Sequence, residues 1–151
     1  MNDHAERARA LFLEGYNCAQ AVACAFCDVT GLSLDEAARM ASSFGGGLGR
    51  LRQVCGTVSG AALVLGLVQG YSDPKDYDAK RAHYHAVQAL AARFEAESGS
   101  IVCRELLRGV ETSPGADPEA RTAEYYRKRP CPDLAYRAAQ ILDALLEGND
   151  Q

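Results

Sequence analysis

The chain contains no tryptophan, two methionines and few aromatic residues, 7% of its 151 positions. Compositional extremes are missing as well: at 48% hydrophobic and 24% charged it describes an ordinary globule and excludes collagen-like, disordered and coiled-coil chains. There is no surplus of basic charge, with 16 Lys and Arg against 20 Asp and Glu and a net charge of −4. A phosphate-backbone binder needs a concentrated basic surface, so nucleic acid is not an expected partner. No repeat or low-complexity tract is visible, and the length suits one domain over residues 1–151.

Leader and membrane signals are missing too. The N-terminus, Met1-Asn2-Asp3-His4-Ala5-Glu6-Arg7-Ala8-Arg9, is charged and has no apolar stretch before a small-residue cleavage site, so a cytoplasmic chain is expected. The most apolar segment, Val54 to Val68, has 15 residues and includes Gly, Ser and Thr. That is short of the ~20 a bilayer requires, and no membrane insertion is expected.

Strand periodicity is absent, and nearly every patterned segment repeats at 3.6 residues, so the expected fold is an all-α, single-domain helical bundle. Ala5 to Leu13 reads as a first helix, punctuated by Gly15. Asn17 caps a second helix running to about Val29, ended by Thr30-Gly31. Ser33-Leu34-Asp35-Glu36 is a capping box opening a third, with a stripe of Leu34, Ala37, Ala38, Ala41 and Phe44. Gly45-Gly46-Gly47-Leu48-Gly49 stops it. Gln53 to Gln69, apolar on every side and rich in glycine, is expected to be the buried central helix. Asp73-Pro74 opens a long helix to about Glu97 with Tyr77, Tyr84, Val87, Ala91 and Phe94 on one face. Ser100 caps a short helix containing Cys103. After a Pro/Gly loop, Asp117-Pro118 opens a segment with Tyr125 and Tyr126, and Pro130-Cys131-Pro132 starts the last helix, striped by Leu134, Ala138, Leu142 and Leu145.

What the chain does have is cysteine, six in 151 residues. In a reducing compartment these are packing residues, metal ligands or redox-active thiols rather than three structural disulfides. Their positions divide them. Cys18, Cys55, Cys103 and Cys131 fall at helix beginnings, where unpartnered amides and the macrodipole favour a thiolate, whether as nucleophile or as metal ligand. Cys24 and Cys27 lie inside an apolar helical stretch, where burial favours the neutral thiol. Their CxxC spacing has no βαβ unit around it and is read as packing.

The residues Tyr16-Asn17-Cys18, Phe44-Gly45-Gly46-Gly47, Cys55-Gly56-Thr57-Val58-Ser59-Gly60, Cys103 and Cys131 together resemble the redox-active family named for its cysteine pattern, C_GCAxxG_C_C. The likeness covers nearly the whole chain. Thr57 stands where the family's C-G-A-x-x-G core has alanine. The resemblance implies a redox role for Cys18, Cys55, Cys103 and Cys131, and no substrate.

Three functional readings stand. In the first, the four thiolates converge on an iron–sulfur cluster or a tetrahedral zinc for electron transfer. The intervals of 37, 48 and 28 residues are longer than in most such sites. In the second, the chain is a thiol–disulfide oxidoreductase with Cys55 as nucleophile, placed at a helix start near Arg50 and Arg52. In the third, it is a structural or interaction protein with inert thiols. Gly45, Gly46, Gly47 and Arg50 could form an anion nest, though not a dinucleotide fingerprint. His83-x-His85 puts its imidazoles on opposite helix sides and is read as solvated, as is the helix end Arg127-Lys128-Arg129. The partner, a redox protein or a small molecule, has no signature, and a homo-oligomer is allowed.

Overall fold

The computed structural model describes residues 3–148, and the described residues form helices joined by turns and loops with a single isolated β-bridge. The helices are α1 (His4–Leu13), α2 (Cys18–Ala25), α3 (Cys27–Thr30), α4 (Leu34–Ala41), α5 (Gly56–Gln69), α6 (Tyr77–Ser98), α7 (Cys103–Leu106), α8 (Ala123–Lys128) and α9 (Cys131–Leu146). The all-α architecture expected from the periodicity is present. Met1, Asn2 and residues 149–151 lie outside the described residues.

The centre is α2, a correction to the expected role of the Gln53–Gln69 helix. Its residues Ala19 and Ala21 to Ala25 are all buried, and α1, α4, α5 and α9 pack around it. Side chains this small let four neighbours approach one axis. Helix α5 is buried over Gly56, Thr57, Val58, Gly60, Ala61, Val64 and Leu65, but Leu67 and Val68 at its far end are exposed. Glycine is what brings α5 onto α2: a Cβ at Gly60 would lie 2.5 Å from the Ala19 carbonyl oxygen, and one at Gly56 2.9 Å from the Cys18 Cβ.

The caps form as their sequences dictate. Asn17 and Gln20 exchange side-chain-to-backbone bonds at 2.9 and 3.0 Å, and Ser33 and Glu36 do the same at 3.1 and 2.9 Å. The Asn17 amide also donates to the Ser42 carbonyl, tying the start of α2 to the 3-10 turn after α4.

Several boundaries differ from expectation. The second helix breaks at Phe26, whose ring is fully buried and stacks on His4 at 4.1 Å. His4 is held there between Asp143 at 2.8 Å and Asp28 at 3.0 Å. The long helix starts at Asp76 rather than Asp73, because Asp73 accepts from Lys75 in a preceding turn while Asp76 accepts from the Ala79 amide. Its buried face carries Leu90 and Phe94, whereas Tyr77 and Tyr84 are exposed. Leu34 is exposed as well. Helix α8 opens at Thr122 and not at Asp117-Pro118, and Cys131 is the first helical residue of α9 rather than its cap. The α9 stripe of Leu134, Ala138, Leu142 and Leu145 is buried as its spacing requires.

Candidate functional site

Three helix starts carry the site. Cys18 is the first residue of α2, Cys55 caps α5, and Cys131 is the first residue of α9. Cys103, first in the single turn α7, joins them through a short antiparallel contact. The Cys55 amide donates to the Ile101 carbonyl at 2.7 Å and the Cys103 amide to the Gln53 carbonyl at 2.6 Å, flanking the Val54–Val102 bridge. Alternation along that bridge turns Cys55 and Cys103 to the face away from Val54 and Val102, and both thiols are buried. Gly47 makes room: a Cβ there would meet the Cys103 Cβ at 2.8 Å.

A cleft of about 380 Å³ opens over these elements. Cys18, Cys103 and Cys131 line it, together with Arg50, Arg52, Arg121, Arg129 and Glu119. Cys55 is not a lining residue; it lies beneath, its sulfur 3.1 Å from the Thr57 hydroxyl. All six cysteines are free thiols.

Electrostatics separates the sulfurs. The neighbouring Cys18 thiol, with the Arg129 and Arg121 guanidiniums, overcomes the opposing effect of burial and lowers Cys131 to about 7. The neighbouring Cys131 sulfur, burial, and the nearby Cys55 and Cys103 push Cys18 well above the usual thiol range. Burial raises Cys55 to about 11 against the Thr57 hydrogen bonds. The lowered thiol is therefore Cys131, whereas the sequence pointed to Cys55. The physical reason is the direction of the arginines. Arg52 contacts the Cys103 sulfur at 3.7 Å, and Arg50 turns to the Ser113, Gly115 and Asp117 carbonyls.

Glu119 organises the cations. Its carboxylate takes Arg129 at 2.7 Å, Arg50 at 3.0 Å and Arg52 at 3.8 Å, and also accepts from the Ser113 amide. Burial opposes its ionisation, but Arg129, the Ser113 amide and Arg50 hold it below the usual carboxylate range. Arg121 donates to the Phe12 and Tyr16 carbonyls and lies over the Phe12 ring at 4.4 Å. Arg129, read from sequence as part of a solvated helix end, is buried, lies over the Tyr125 ring at 4.6 Å and stands beside Cys131. Arg127 and Lys128 are exposed, as expected for such an end. Sequence reasoning missed Arg121, Arg129 and Glu119. The one local signal was an arginine two residues before a helix-start cysteine, beside the Tyr125-Tyr126 pair.

This arrangement matches a known family pattern. The family model described as putative redox-active protein (C_GCAxxG_C_C) covers residues 16–145. The chain belongs to the C_GCAxxG_C_C family. No curated protein and no solved structure matches it. All six cysteines fall within the matched residues: Cys18, Cys103 and Cys131 line the cleft and Cys55 is buried near them, while Cys24 and Cys27 stand apart near His4, with burial raising both thiols.

The expected anion nest takes a different form. Gly45 and Gly46 line the cleft and Gly47 does not. The amides of residues 48–53 are all spent on backbone carbonyls within the loop, so they do not point at a ligand. Arg50 lines the cleft, but its donors hold the loop from Ser113 to Glu119. Among the described residues no three His, Cys, Asp or Glu are grouped to hold a metal ion. His85 is exposed and His83 packs edge-on to Tyr71 at 6.1 Å, so the two do not form a pair. No described helix is long and apolar enough to cross a membrane.

Proposed function

We propose that this member of the C_GCAxxG_C_C family exchanges thiols with disulfides, Cys131 attacking and Cys18 resolving. The observation that carries the reading is that Cys18 and Cys131, the first residues of α2 and α9, both line the open cleft near enough to shift each other's acidity, with Arg129 beside Cys131. A thiol lowered to about 7 matches ambient pH, where thiolate fraction and nucleophilicity together are near their optimum.

The step balances without another reagent. The Cys131 thiolate attacks one sulfur of a substrate disulfide, and the other substrate sulfur leaves as a thiolate that takes the Cys18 proton. The Cys18 sulfur then attacks Cys131, and the second substrate thiolate departs. Two electrons pass from the cysteine pair to the substrate, and one protein disulfide forms. The sulfurs are positioned by the starts of α2 and α9, and at Cys131 the first-turn amides of α9 favour the anion.

Alkylation with iodoacetamide across pH, located by peptide mass, tests the reading. Cys131 is expected to react first, with a midpoint near 7, and mild oxidation is expected to give a Cys18–Cys131 disulfide. Failure of Cys131 to react ahead of the other cysteines, or oxidation that never links it to Cys18, would overturn the proposal.

A further inference from the structure

We propose that the cleft takes small disulfides bearing carboxylates, the oxidised form of an anionic low-molecular-weight thiol. This names the substrate class for the thiol-exchange reading above and rests on it.

The chain as a whole is acidic, at −4, yet four arginines line this cleft against the single carboxylate of Glu119. A Cys131 thiolate neutralises one more, which leaves an excess of about two positive charges in a partly desolvated hollow. Buried or half-buried cations that lack counterions are costly, and an incoming anion relieves that cost.

The four cations are not equivalent. Arg50 and Arg121 are bound by backbone carbonyls of Ser113, Gly115, Asp117, Phe12 and Tyr16, so they form the frame. Arg52 and Arg129 each stand beside a sulfur, Arg52 at Cys103 and Arg129 at Cys131, and share Glu119. A substrate whose disulfide meets Cys131 therefore has Arg129 beside the reacting sulfur and Arg52 within the same Glu119-centred cluster, where Arg52, the more loosely held of the two, can take a carboxylate. Planar guanidinium suits that partner, since it offers two parallel donors to one carboxylate.

Size and lining point the same way. About 380 Å³ is within the range of small-molecule pockets, and the walls of Phe12, Leu107, Pro118 and Tyr125 supply apolar contact for the chain between the charged groups. In the reaction, one substrate disulfide and two protein thiols become one protein disulfide and two substrate thiols; no further oxidant enters.

The test compares three disulfides with the reduced full chain: oxidised glutathione, neutral bis(2-hydroxyethyl) disulfide and cationic cystamine. Loss of the Cys131 thiol is followed by acid quench and mass. The anionic probe is expected to react fastest and the cationic probe slowest, about tenfold or more apart at low salt. The gap is expected to shrink in about 0.5 M salt, where the screening length falls to a few ångströms. It is also expected to shrink in Arg52→Gln, and to persist in Arg104→Gln, whose side chain is outside the cleft. Equal rates, or cystamine reacting fastest, would overturn the anionic class while leaving thiol exchange standing. No reaction with any probe would overturn thiol exchange itself.

Discussion

Cys18 and Cys131 are the first residues of two different helices and line the same cleft, each sulfur shifting the other's acidity. The two thiols are identical in chemistry, yet their proximity drives their acidities apart. Only Cys131 also has Arg129 beside it, so the asymmetry has a definite direction. A pair split in this way suits the proposed roles of nucleophile for Cys131 and protonated partner for Cys18.

Replacing Arg129 by Gln removes a guanidinium from Cys131 and one partner from Glu119. The midpoint of Cys131 alkylation is expected to rise from near 7 by about one pH unit, within the range that a close opposite charge produces. Iodoacetamide rates across pH measure it. An unchanged midpoint would assign the acidity to Cys18 and Arg121.

Glu119→Gln acts with the opposite sign on the thiol. Without the carboxylate, Arg129 is less neutralised, so the Cys131 midpoint is expected to fall below 7. The same change unfastens the loop from Ser113 to Glu119, which Arg50 and the Ser113 amide hold. Limited proteolysis is expected to cut residues 110–121 several-fold faster than in the wild type, with the helical core intact.

Gly60→Ala places a Cβ 2.5 Å from the Ala19 carbonyl oxygen, so α5 must move off α2. Overpacking of this kind costs about 1–3 kcal/mol, read as a lower urea midpoint. Gly66→Ala is the control. Its Cβ meets only the His83 Nε2, at 3.9 Å, and helix propensity favours alanine by up to about 1 kcal/mol.

The thiols also shape stability against pH. Cys131 is lower in the folded chain, about 7, than the ordinary 9.0, so its contribution is present above pH 9 and is lost as pH falls toward 7. Cys24 and Cys55 are raised to about 11, so theirs is present below pH 9 and is lost as pH rises toward 11. Reduced protein is expected to gain stability from pH 7 to 9 and lose it from 9 to 11. Urea titrations of Cys131→Ser should show the rising limb flattened and the falling limb retained.

The parts of this molecule that were legible in the sequence are those decided locally. The Asn17–Gln20 and Ser33–Glu36 caps are written within four residues, and the α9 stripe within sixteen. The start of α2 at Cys18 follows from the Asn17 cap and that of α9 at Cys131 from the adjacent proline, whereas α5 at Cys55 and α7 at Cys103 have no side-chain cap, and Val102 rather than the expected Ser100 is the cap of α7. The Val54–Val102 bridge is too short for any periodicity. The burial of Arg129 depends on Glu119, ten residues earlier in an irregular loop, and on the face of Tyr125. Likewise the apolar composition of α5 does not say where its neighbours stop, which is why Leu67 and Val68 reach solvent. Arg50 and Arg52 are near Cys55 in sequence, but both have left-handed backbone, with φ of 67° and 63°, and their side chains diverge to Ser113 and Cys103.

The Glu119 hub has a consequence for the cleft across a redox cycle. A Cys131 thiolate adds a negative charge to a site where one carboxylate faces four guanidiniums. A sulfur engaged in a disulfide adds none. Oxidation therefore makes the hollow more positive without moving an arginine, and reduction restores the anion. On the proposed thiol-exchange cycle, a negatively charged molecule is expected to bind the oxidised chain more tightly than the reduced one, so the two states would differ in what they attract as well as in what they can donate.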